Sequence, residues 1–143
     1  MIARAMKNIV IAEDDSSIAE TMAKSLKKLE FNILAVVSTG ESAMEKTREL
    51  KPDLVIMDVV LEGDIDGIEA GQHIEKELSI PVIYITGFRD KAVLLEEQGK
   101  VPLVKPFQIN DLTVAIGTVF YQISDKEKRK GQGVTSKISD LLN

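Results

Sequence analysis

Five short runs of uninterrupted apolar residues constrain this chain most: Ile9–Ala12, Ile33–Val37, Leu54–Met57, Val82–Ile85 and Val101–Val104. A strand with one wet face alternates apolar and polar side chains; these runs do not, so both of their faces must be covered. Amphipathic stretches separate them. Ile18, Met22, Leu26 and Leu29 recur at helical spacing, with Ser17-x-x-Glu20 readable as a capping box. Gly40 opens a helix through Met44, Thr47 and Leu50 that Pro52 stops. Ile68, Gly71, Ile74 and Leu78 line one face of a third helix ending before Pro81, and a short helix is expected near Lys91–Gln98. Ile109, Leu112, Ile116, Val119 or Phe120, and Ile123 make the last. The fold class is therefore α/β: a single five-stranded parallel sheet with helices on both faces, built as (βα)5.

Such a sheet binds ligands beyond the carboxyl ends of its strands, and there the polar residues of this chain gather. The first run stops at Glu13-Asp14-Asp15, the third at Asp58, the fourth at Thr86 and the fifth at Lys105. Taken singly, each has an ordinary explanation. An acid after a strand usually caps a helix, a threonine there serves a cap or turn, and a lysine is solvated. Caps alone do not put a lysine before Pro106, so the set calls for one site. Several carboxylates in one cleft repel each other, and a divalent cation offsets that repulsion. An all-oxygen donor set suits Mg²⁺. Lys105 and Thr86 suit a phosphoryl group, and a carboxylate is itself a competent nucleophile. The chemistry this describes is metal-assisted phosphoryl transfer onto an aspartate.

Composition narrows the alternatives. The 143 residues suit one domain, and 44% hydrophobic with 29% charged residues is ordinary for a globular protein. The absence of cysteine excludes disulfides and thiolate chemistry. The net charge of −5 gives no general attraction to nucleic acid, so no direct nucleic-acid partner is expected. No apolar run reaches the roughly 18 residues a membrane span needs. Met1–Lys7 lacks a sustained apolar segment, so a cytoplasmic location without membrane contact is expected. Five basic and two acidic residues fall within 126–143, which leaves a basic tail on an acidic body.

These residues resemble the receiver domain of two-component response regulators. The match is carried by Ile9-Val10-Ile11-Ala12-Glu13-Asp14-Asp15, Leu54–Asp58, Asp66-Gly67-Ile68-Glu69, Val82–Gly87 and Leu103–Phe107. The intervals are also similar: 44 residues from Asp14 to Asp58, 28 on to Thr86 and 19 on to Lys105. The resemblance implies a flavodoxin-like fold over residues 6–125, with 126–143 a basic flexible tail or linker. It implies that Asp58 is the phosphoacceptor, with Thr86 and Lys105 contacting the phosphoryl group. Glu13, Asp14, Asp58 and the backbone carbonyl of Val60 would hold Mg²⁺. Aligned on Ser16-Ser17-Ile18, the metal pair is Glu13 and Asp14, and Asp15 is then a helix cap. Lys105-Pro106 is expected to be cis, and Gly87 to keep the approach to the site open. The partners implied are a sensor histidine kinase or phosphotransfer protein and a downstream protein target, with a homodimer left open. Beyond its own phosphorylation and dephosphorylation, no enzyme activity is expected.

The chain departs from the family in three places. Pro102 stands where many receivers place an aromatic that rotates inward, although an edge strand tolerates proline. The loop after Asp58 lacks the usual Met-Pro and is about two residues longer. Val60 and Phe88 cannot hydrogen-bond an attacking water, so slow loss of the phosphate is expected. His73 reads as a surface or boundary residue. Other readings are a receiver belonging to a longer regulator or hybrid kinase, and a constitutive interaction module. A phosphatase with an aspartyl nucleophile fits less well, because Val60 stands where a second acid is needed.

Overall fold

The alternation of the sequence builds an alternation in space. In the computed structural model, which describes the backbone of residues 7–142 and the side chains through 128, five strands interleave with five helices. They are β1 Asn8–Ala12, α1 Ser16–Lys28, β2 Asn32–Val37, α2 Gly40–Leu50, β3 Leu54–Asp58, α3 Gly67–Leu78, β4 Val82–Thr86, α4 Arg89–Glu97, β5 Val101–Val104 and α5 Ile109–Leu142. The strands form one parallel sheet in the order β2-β1-β3-β4-β5. Residues 1–6, which include most of the segment read above for a leader, lie outside the described residues, as does Asn143.

The unbroken apolar runs divide by parity. Ile9, Ile11, Ile56, Ile83 and Ile85 point to one face and pack with Leu26 of α1 and Leu112 and Ile116 of α5. Val10, Ala12, Val55, Met57 and Tyr84 point to the other and pack with Ala43 of α2, Ile74 of α3 and Leu95 of α4. Burying each large aliphatic side chain contributes roughly 1.5–3 kcal/mol. β3 is central and fully buried. Its last residue, Asp58, is thus carried into the middle of the carboxyl edge.

One local reading needs correction, the capping box on Ser17, while the cap that the resemblance implies is found. The cap of α1 is Asp15, whose Oδ1 accepts the amides of Ser17 and Ile18 at 3.0 and 3.1 Å, and Ser17 lies inside the helix. An aspartate one residue before the helix reaches those amides directly, so no box built on Ser17 forms. Beyond Lys126 the backbone of α5 continues as helix to Leu142. Lys, Glu, Arg and Gln have good helix propensity, and Gly131 and Gly133 each cost only about 1 kcal/mol.

Candidate functional site

The end of β1 delivers the first acids. Glu13 donates its amide to Val37 O at 2.9 Å, which continues the ladder with β2 and turns its side chain into the protein, where it is fully buried. Asp14 is exposed, and Asp15 faces away as the cap of α1. Asp58, 5% exposed, closes β3. Lys105, the residue after β5, reaches across β4 to both buried acids. Its Nζ lies 2.6 Å from Glu13 Oε1 and 2.7 Å from Asp58 Oδ2. The second Asp58 oxygen, Oδ1, accepts the Val60 amide at 3.0 Å.

Thr86 closes β4 and is fully buried. Because Asp58 pairs with Ile85, Thr86 stands one residue beyond it along the edge. Its Oγ1 accepts the Phe88 amide at 3.0 Å, and its carbonyl accepts the Lys105 amide at 2.8 Å. A Cβ added to Gly87 would meet nothing within 4 Å, so the space beside it is open. The Lys105-Pro106 peptide is cis, as expected. Val60 and Phe88 are half exposed.

Charge dominates this cleft. Burial, then a hydrogen bond shared with Asp58, pushes the Glu13 carboxyl up to about 7, against the opposing pull of Lys105 and the Asp15 amide. Burial would lower the Lys105 ammonium, but the bonds from Asp58 and Glu13 outweigh it and the net direction is upward. One cation therefore faces three acids. Glu13, Asp14 and Asp58 each offer an oxygen, all within 4.8 Å of one another. Two are buried and the third opens to solvent, which suits a hard divalent cation that keeps several waters. The residues fit such an ion.

Pro102 of β5 pairs with Tyr84 of β4, and among the described residues β5 bonds to β4 alone. As an edge residue it needs no amide on its outer side. His73 lies on α3, half exposed beside Glu77 and remote in the topology from the strand ends.

Sequence reasoning missed two polar arrangements. Glu41 of α2 holds the loop after Asp58 through the amides of Asp64 and Ile65. Tyr84, buried in an apolar strand, donates its hydroxyl to Glu75 of α3, which also pairs with Lys100 at 2.7 Å. A buried tyrosine hydroxyl implies some partner, so the second was partly foreseeable. Nothing in the spacing of Glu41 announces the first.

The comparisons with known proteins agree with this geometry. The family model described as the response regulator receiver domain matches residues 9–117. The transcriptional regulatory protein PdtaR of Mycobacterium tuberculosis is 36% identical over 113 residues, covering 77% of this chain and 55% of that protein. LnrK of Bacillus subtilis, also a transcriptional regulatory protein, is 32% identical over 119 residues, covering 80% and 54%. The chain thus spans about half the length of these relatives. Among solved structures, the signal receiver domain of a modulated diguanylate cyclase from Desulfovibrio desulfuricans superimposes with a TM-score of 0.77 at 25% identity, over 85% of this chain and 99% of that one. A DNA-binding response regulator of the LuxR family from Staphylococcus aureus gives 0.68 at 30% identity, over 80% and 98%. The fold, the strand-end residues and these matches lead to one conclusion: the chain belongs to the response-regulator receiver family.

Proposed function

We propose that this receiver is a phosphorylation switch in which Asp58 takes a phosphoryl group from a sensor histidine kinase or phosphotransfer protein. The observation that carries the reading is the Lys105 ammonium held between Asp58 and Glu13 at a strand edge that also gathers Asp14 and Thr86. An Asp58 oxygen attacks the phosphorus, an O–P bond forms as the P–N bond to the donor histidine breaks, and the leaving imidazole takes a proton. Lys105 then turns to a phosphoryl oxygen. Thr86, whose oxygen already accepts the Phe88 amide, donates its hydroxyl proton to another. Glu13, Asp14, Asp58 and the Val60 carbonyl would hold Mg²⁺. When bound, the cation offsets the clustered negative charge and polarises the transferring group. Water reaches the acyl phosphate past Val60 and Phe88, which cannot orient it, so the phosphate persists.

The receiver proper spans residues 6–125 and acts in the cytoplasm, with 126–143 as a basic extension. A cleft of about 430 Å³ beside Lys105, lined by Ile18, Met22, Pro106 and Phe107, supports docking of a donor next to the site. Exposed Val93 and Leu94 on α4 and Val114 and Tyr121 on α5 flank the β5 edge and favour a downstream protein target or a second copy of the chain. Phosphorylation would shift the populations that such partners select. Beyond this self-directed chemistry the protein turns over no substrate. A second reading, favoured by the chain's spanning about half of its relatives, assigns the receiver to a longer regulator.

Incubation with acetyl phosphate and Mg²⁺, followed by intact mass over time, tests the proposal. The expected result is one added phosphate that needs Mg²⁺, is absent in Asp58→Asn and outlasts minutes after donor removal. No gain with any small donor would favour a constitutive interaction module.

A further inference from the structure

The segment between β3 and α3, residues 59–66, leaves the site, crosses to the start of α2 and returns. Its ends are fixed by the sheet and the site. The Val59 amide bonds to Ile85 O at 2.8 Å, the Val60 amide to Asp58 Oδ1 at 3.0 Å and the Gly67 amide to Val59 O at 2.9 Å. Its middle is fixed by α2. Thr39 and Glu62 form an isolated parallel bridge, and Glu41 Oε1 accepts the amides of Asp64 and Ile65 at 3.0 and 3.1 Å.

The backbone is shaped around that carboxylate. Gly63 has φ +100, and a Cβ there would lie 2.6 Å from Glu41 Oε2. Gly40 allows an equally close approach, since its Cβ would come within 2.7 Å of Ile65 O. The carboxylate therefore rests against a bare Cα with two amides aimed at it, a small anion cradle in the backbone. Only Leu61, itself buried, separates Val60 from the bridged Glu62. A shift of the clamped part has little chain in which to dissipate before it reaches Val60.

We infer that Glu41 is a positioning residue for the cation site: its grip on the Asp64 and Ile65 amides holds Val60 in register with Glu13, Asp14 and Asp58. The inference rests on the reading above that the Val60 carbonyl is a metal ligand. Glu41 is not one of the three clustered acids, so it acts through the loop's geometry. Its acceptor oxygen matters and its charge does not. Partners that orient a ligand typically affect metal affinity by roughly 10–100-fold, and a backbone route belongs at the lower end.

The test is a Mg²⁺ titration of the full chain followed by amide NMR. Glu41→Ala should weaken Mg²⁺ binding about tenfold and move the Val60 amide resonance before any Mg²⁺ is added. Glu41→Gln, which keeps the oxygen, should restore most of the affinity. Gly63→Ala, which blocks the seat, should mimic Glu41→Ala. Glu49→Ala removes an exposed acid from the same helix without touching the loop and should bind as the parent does. Parent affinity in Glu41→Ala would overturn the inference alone. Equal losses in Glu41→Gln and Glu49→Ala would overturn it too, by showing that charge is what counts. A parent that binds no Mg²⁺ would overturn both this and the reading on which it rests.

Discussion

Glu13 is where stability and function oppose each other. Its carboxyl is buried beside Asp58, and its folded-state value of about 7 stands above the ordinary 4.5. Between those values the folded chain holds a proton that the unfolded chain has released, so metal-free stability falls as pH rises through this window and is fullest below it. Glu13→Gln keeps an acceptor for Lys105 but removes the charge. It should flatten that pH dependence and, above the window, add on the order of 1 kcal/mol, a rise of a few degrees in Tm. Thermal melts in metal-free buffer on both sides of the window check this. A loss of stability at high pH would mean instead that the Lys105 pair outweighs the repulsion. The same variant should lose the stabilisation that added Mg²⁺ gives the parent.

Among the elements, α3 packs tightly on β4. The ring of Tyr84 lies over Gly71, where a Cβ would collide with its hydroxyl and edge. Gly71→Ala should therefore cost about 1–3 kcal/mol in urea unfolding although alanine favours helix. The hydrophobic period that marks Gly71 as part of the buried stripe does not reveal this contact, because no spacing rule says which strand residue crosses which helix turn. The elements themselves were legible for a physical reason: parallel strands covered on both faces leave unbroken apolar runs, and Pro52 and Pro81 mark where α2 and α3 have ended. The capping box read on Ser17 failed because Asp15, one residue before the helix and the cap that the resemblance implies, already takes the free amides. The strand-end residues were legible because a doubly wound sheet has one place for them. The grip of Glu41 was not, because it joins residues 23 and 24 apart through a loop of irregular shape.

At the scale of the whole molecule, α5 is both part of the core and an extension from it. Val119 is buried, and Phe120 and Ile123 pack at the edge of the core, while Lys126, Glu127 and Lys128 are exposed. A chain ending at Asp125 should keep a Tm within a few degrees of the parent and take phosphate equally well. A large loss of stability would place the helix end inside the folding unit. The switch must leave the site without a rotating aromatic at Pro102, which fixes attention on the neighbouring strand, where Tyr84 ties β4 to α3 and, through Glu75, to Lys100 ahead of β5. All of this depends on Asp58 being the atom donor of the acyl phosphate. The most direct test is borohydride reduction of the protein loaded with acetyl phosphate and Mg²⁺, followed by peptide mapping, since reduction of an aspartyl phosphate leaves homoserine at the modified position. Conversion at position 58 alone is the predicted result; conversion at Asp14 or Asp15, or none anywhere, would contradict it.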